Sequence, residues 1–133
     1  MVYDIKYNQG GYVMKIAIPV EEKSSSTKIC ISFGRTPYFL VFDDAKKEYN
    51  FLENTAAESR GGAGVKAAQF IVDNKVDVLL TPRCGENAAE IFNTAKVKLY
   101  KTINDSVEDN LKAFSEGKLE LLQEVHPGFH HGN

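Results

Sequence analysis

Tryptophan is absent from this chain, and cysteine occurs only twice, as Cys30 and Cys84. The missing tryptophan bears on no function. Two distant cysteines make no disulfide framework, and a domain of this size does not depend on one. Free thiols and a reducing cytoplasm are therefore expected. No CxxC and no Cys/His pair is present, so a closed zinc site is not supported. Long apolar runs are lacking too. The longest, such as Val76 to Leu80, have strand length, far below the roughly 20 residues of a membrane span. The first residues lack the basic-then-apolar pattern of a signal peptide. Neither sign of charge dominates: the net charge is -2, with a pI near 5.9. No basic field favours nucleic acid or an acidic membrane. There is no internal repeat.

What is present suits one domain. The 133 residues, 43% of them hydrophobic, suffice to bury a core without staples. Residues 1–13 are polar and Gly-containing, and are expected to be a loosely ordered upstream or added extension. The alternative is an extra edge strand through Val2, Tyr3 and Ile5. The domain proper is expected over 14–125. Lys15 to Val20 reads as a strand, followed by a Ser-rich loop. The run Tyr38-Phe39-Leu40-Val41-Phe42 and the segment Tyr49 to Glu53 flank a polar turn and predict a β-hairpin. After Gly61-Gly62-Ala63-Gly64, the residues Val65, Ala68, Ile71 and Val72 fall at helical spacing. Strands are predicted over Val76 to Thr81 and Val97 to Tyr100, and helices over Asn87 to Thr94 and from Ser106 to Gly117. Asp109, three residues after Ser106, makes a variant capping pattern. The order β, β, β, α, β, α, β, α implies an α/β mixed sheet covered by helices. Residues 126–133 form a polar tail containing His126, His130 and His131.

Cys84 follows a buried strand and precedes a helix. The helix N-terminus and the adjacent Arg83 are both expected to favour its thiolate, the form that binds soft metals. A small buried core residue is the alternative. Cys30, within Ile29-Cys30-Ile31, suits core packing better, but the turn at Ser32 to Gly34 also makes it a candidate second ligand. Gly61, Gly62 and Gly64 precede a helix, so their backbone amides can approach an anion, with Arg60 adding a fork of donors. This loop has neither Walker A nor dinucleotide-binding spacing. Its alternative role is a tight turn needing positive φ. Arg35 is either a third anion contact or a solvated side chain. The tail imidazoles His126, His130 and His131 are candidate metal ligands, set against a mobile chain end.

Four segments occur in one order: Met-Lys-Ile-Ala-Ile-Pro-Val at 14–20, Phe-Gly-Arg-Thr-Pro-Tyr-Phe at 33–39, Gly-Gly-Ala-Gly-Val-Lys-Ala-Ala-Gln at 61–69 and Cys-Gly-Glu-Asn-Ala at 84–88. Together they resemble the dinitrogenase iron–molybdenum cofactor biosynthesis family, over about residues 14 to 122. The resemblance implies a ribonuclease H-like fold and binding of an anionic iron–sulfur or molybdenum-containing cluster, not held tightly after purification in air. It also implies metallocluster donor and acceptor proteins as partners. Ser32, Gly34, Gly85 and Asn87 join the candidate site through these segments. Many relatives carry His at the position of Ser32 and Pro at that of Glu86.

Three functions compete. A cluster carrier needs only an anion pocket and a placed thiol. A nuclease needs converging carboxylates, yet the first strand has none, Asp43 and Asp44 lie in a turn, and Asp73 and Asp77 flank a helix–strand junction. No Ser-His-Asp order appears either, so a non-enzymatic protein is expected. The third function is a scaffold that binds a small anion or a partner without metal. Oligomeric state is left open.

Overall fold

The computed structural model describes residues 14–122. The expectations for residues 1–13 and for His126, His130 and His131 lie outside the described residues. The elements run β1 (Lys15–Val20), β2 (Tyr38–Asp43), β3 (Glu48–Glu53), α1 (Ala63–Asp73), β4 (Val78–Thr81), α2 (Glu86–Thr94), β5 (Lys98–Lys101) and α3 (Val107–Ser115). A single 3-10 turn, Thr55–Glu58, interrupts the connection from β3 to α1. The sheet is mixed and five-stranded, in the order β3-β2-β1-β4-β5. The hairpin β2–β3 continues antiparallel onto β1, while β4 and β5 run parallel to it. Beyond β5, the segment around Leu121 bridges to Tyr100.

Side-chain alternation divides the core in two. Ile16, Ile18 and Val20 of β1, with Leu40, Phe42, Val78 and Leu80, meet Val107, Leu111 and Phe114 of α3. Ala17, Phe39, Val41 and Leu79 point the other way, onto Ala67, Ala68 and Ile71 of α1 and Ala88 and Phe92 of α2. Phe39, Phe42, Phe92 and Phe114 are all fully buried, each worth about 1.5–3 kcal/mol by transfer from water. The predicted cap at Ser106 forms: its hydroxyl accepts from the Asp109 amide at 3.1 Å. Gly117 ends α3 with φ at 72°, as the left-handed stop requires.

This topology collects several loops at one pole. Val20, the last residue of β1, pairs with Tyr38, the first of β2, which pairs with Glu53, the last of β3. Because β4 is parallel to β1, Thr81 leaves the sheet in the same direction. The turn 31–37, the loop 54–62 and the loop 82–85 therefore stand together, and α1 and α2 both begin there. Parallel strands deliver their carboxyl ends to such a crevice, the usual ligand position in α/β sheets.

Two backbones meet at this pole. A Cβ placed on Gly34 would lie 2.9 Å from both the Cα and the N of Gly64, and 3.3 Å from the carbonyl carbon of Ala63. A Cβ on Gly64 itself would meet only the Ala88 Cβ, at an ordinary 4.0 Å. Gly34→Ala is thus expected to cost about 1–3 kcal/mol by overpacking. Gly64→Ala, inside a helix, is expected to be neutral or stabilising by up to about 1 kcal/mol. Urea unfolding of both variants checks the pair, and equal stabilities would contradict the close approach.

Candidate anion-binding cavity

A cavity of about 790 Å³ opens between the three loops. Its lining includes Ser32, Gly34, Arg35, Arg60, Gly61, Gly62, Gly64, Arg83, Cys84, Gly85 and Asn87. The volume is within the usual range for a small-ligand site. Cys30 is not part of the lining. The residue is buried, and its Sγ donates to the Ser32 carbonyl at 3.6 Å.

The turn carrying Ser32 to Arg35 is anchored from below. Phe33 is buried, with its ring centroid 5.6 Å from that of Phe39 and 5.4 Å from that of Phe92. Asn54 ties the turn to the end of β3: its Nδ2 donates to the Gly34 carbonyl at 3.1 Å and the Thr36 carbonyl at 2.8 Å. The Asn54 Oδ1 meanwhile accepts from the Ala56 amide. The buried Thr36 hydroxyl donates to the Val20 carbonyl at 2.8 Å. Arg35 is exposed, and its Nη1 donates to the carbonyls of Ala57 and Ser59, both at 2.9 Å. Arg35 lines the cavity while that nitrogen braces the 3-10 segment. Arg60 and Arg83 are exposed on the rim.

The glycine loop serves more than one purpose. Gly62 has φ at 68° and caps α1 without a side-chain hydrogen bond. Gly61 shows no positive φ and has open space where a Cβ would stand, so it leaves that flank of the loop uncovered. Gly85 caps α2, again without a side-chain hydrogen bond. The first-turn amides of both helices lack intrahelical acceptors by helix geometry. Two helix N-termini therefore present donors and positive partial charge to one volume, the arrangement that binds anions.

The thiol of Cys84 departs from expectation. Its residue is 1% exposed, and it packs with Phe33, Ala88 and Phe92 in the α1–α2 core while also lining the cavity. Burial pushes its pKa up from 9.0 to about 12. Desolvation is the cause of the shift, and the adjacent Arg83 is exposed. The free protein therefore holds a neutral thiol, which donates to the Gly85 carbonyl at 3.5 Å. Burial raises the pKa of Cys30 as well. Thr81 fixes the approach to Cys84, its hydroxyl donating to the Arg83 carbonyl at 3.0 Å. Among the described residues, no three His, Cys, Asp or Glu side chains come together to hold a metal ion.

The sequence reading missed Thr36 and Asn54 as positioning residues. The position of Asn54, between a strand and Thr-Ala-Ala-Glu, carried a cap signal, whereas Thr36 is explained only by the fold. Val65 is 38% exposed and Ile31 63% exposed, and both form apolar rim of the cavity.

Residues 14–117 match the family described as dinitrogenase iron–molybdenum cofactor. The chain belongs to that family. An uncharacterized Methanocaldococcus jannaschii protein is 29% identical over 114 residues, covering 84% of this chain and 93% of that one. A Thermotoga structure, described as a candidate NifB protein of the DUF35 family, is 34% identical, covers 85% of this chain and 97% of its own, and superposes with a TM-score of 0.74. The apo form of the orange protein from Desulfovibrio gigas shares the fold, with a TM-score of 0.80 at 24% identity over 86% of this chain and 98% of that one. Among the described residues, no helix of this family member is long and apolar enough to cross a membrane.

The buried thiol makes stability fall in alkali. The unfolded chain ionises Cys84 near pH 9.0, while the folded chain retains the proton to about pH 12. The stabilisation is complete below pH 9 and is lost across that window, at up to about 1.4 kcal/mol per pH unit. Cys84→Ala lacks this loss, so its stability deficit against wild type is expected to narrow between pH 8 and pH 10.5. Denaturant unfolding across that range measures the slope.

Proposed function

We propose that the protein holds a preformed, anionic iron–sulfur or molybdenum-containing cluster as cargo during metallocofactor assembly, receiving it from a donor protein and passing it to an acceptor without turnover. The observation that carries this reading is the single cavity where two helix N-termini, three arginines and one thiol meet. Membership of a family concerned with the iron–molybdenum cofactor supports the same class of cargo. The proposed setting is the reducing cytoplasm, where Cys30 and Cys84 stay as thiols.

The cargo is recognised first by charge. Backbone amides of residues 63–65 and 86–88, with Arg35, Arg60 and Arg83, attract a polyanion before any metal–sulfur bond forms. A soft metal of the cluster then exchanges a terminal water for the Cys84 sulfur, and that water and the Cys84 proton both leave to solvent. Ser32, Gly61, Gly62, Gly85 and Asn87 shape the walls. His126, His130 and His131 are proposed as later ligands from the tail.

A second reading, a module that binds a small anion without metal, is favoured by the protonated state of Cys84. The two differ in what substitution does. Under anaerobic conditions, tetrathiomolybdate or a soluble iron–sulfur cluster is titrated into the protein and followed by visible absorbance. On the cargo reading, wild-type affinity for the iron–sulfur cluster rises up to tenfold per pH unit between pH 6 and 8, because one proton leaves on binding. Cys84→Ala is expected to abolish that pH dependence and to weaken binding at least tenfold. Arg60→Ala and Arg83→Ala are each expected to weaken it about threefold to tenfold and to flatten its salt dependence. Binding that is indifferent to Cys84 selects the metal-free module. A wild type that takes up neither probe sinks the cargo reading.

A further inference from the structure

We propose that Glu86 limits how tightly the cavity holds an anion, and so sets the cavity for release as well as capture. The proposal rests on the cargo-holding reading above. Among the described residues lining the cavity, Glu86 is the single acidic one, beside a lining that includes Arg35, Arg60 and Arg83. It occupies the first turn of α2. The N-terminus that draws an anion into the cavity therefore already has a carboxylate in its first turn.

Two effects act in the same direction. A carboxylate in the first turn of a helix offsets the positive potential of that end, so less remains for the cargo. It also repels a bound anion directly across the cavity. Glu86 is exposed, so water screens the repulsion but leaves a measurable part at low salt. The expected outcome for a dianion is binding roughly threefold to tenfold weaker than the same cavity gives with a neutral side chain at this position. Glu90 stands one turn further along α2 and is also exposed, yet it lies outside this cavity's lining. It shares the helix and the charge without the location, and so separates a cavity effect from net charge.

The test titrates tetrathiomolybdate anaerobically, at low ionic strength, into wild type, Glu86→Gln, Glu86→Asp and Glu90→Gln. Circular dichroism and thermal unfolding verify that each is folded. Glu86→Gln is expected to bind threefold to tenfold more tightly and to release the anion more slowly, while Glu86→Asp and Glu90→Gln stay near wild type. Raising the salt from 0.01 M to 1 M shortens the screening length from about 30 Å to about 3 Å. The difference between Glu86→Gln and wild type should close accordingly. Unchanged or weaker binding by folded Glu86→Gln overturns the proposal, as does equal tightening in Glu90→Gln. If the wild type binds and only this pattern fails, the cargo reading survives. If the wild type takes up neither this probe nor an iron–sulfur cluster, both fall together.

Discussion

The approach of the Gly34 backbone to the first turn of α1 is the constraint on which the cavity depends. With a Cβ at Gly34 only 2.9 Å from Gly64 backbone atoms, any side chain there would push the turn and the helix apart. Their contact brings Ser32 and Arg35 beside the glycine loop. Asn54 and Thr36 hold the turn in place through buried hydrogen bonds to the ends of β1 and β3, and Phe33 anchors it in the core. The turn that lines the cavity is thus fixed by a small number of buried polar groups. Such groups, once buried, must remain paired.

Electrostatics in the cavity is divided between depth and rim. The thiol lies deep, where desolvation keeps it neutral. The guanidinium groups of Arg60 and Arg83 are exposed, and Arg35 reaches solvent while bracing Ala57 and Ser59. The positive charge and the thiol therefore sit at different depths of the cavity. On the proposed reading, an anion is drawn in by the rim and the helix ends without competing with a resident thiolate, and the thiol becomes a ligand only when a metal displaces its proton. Glu86 moderates the attraction from within the same lining.

Most of the fold was legible in the residue pattern. Apolar runs of strand length at Lys15 to Val20 and Tyr38 to Phe42, and helical spacing after Val65, gave the strands, the hairpin and all three helices in their observed order. The boundaries shifted by one or two residues: α1 starts at Ala63 and β4 at Val78. Local periodicity does not record where a cap or a pairing begins. Of the site, the segments 33–35, 61–64 and 83–87 were legible as chemistry. The roles of Thr36 and Asn54 were not, because their partners lie 16 to 20 residues away in sequence.

The sequence by itself determined the elements, the absence of a disulfide framework, the glycine loop and the single thiol placed between a strand and a helix. These follow from composition and from spacing along the chain. Only the tertiary structure decided that the three loops share one cavity, that Cys30 is not in its lining and that burial raises the Cys84 pKa. A pKa depends on how much water the fold removes, and a pocket depends on which strand ends lie side by side. Both are properties of residues distant in sequence and close in space.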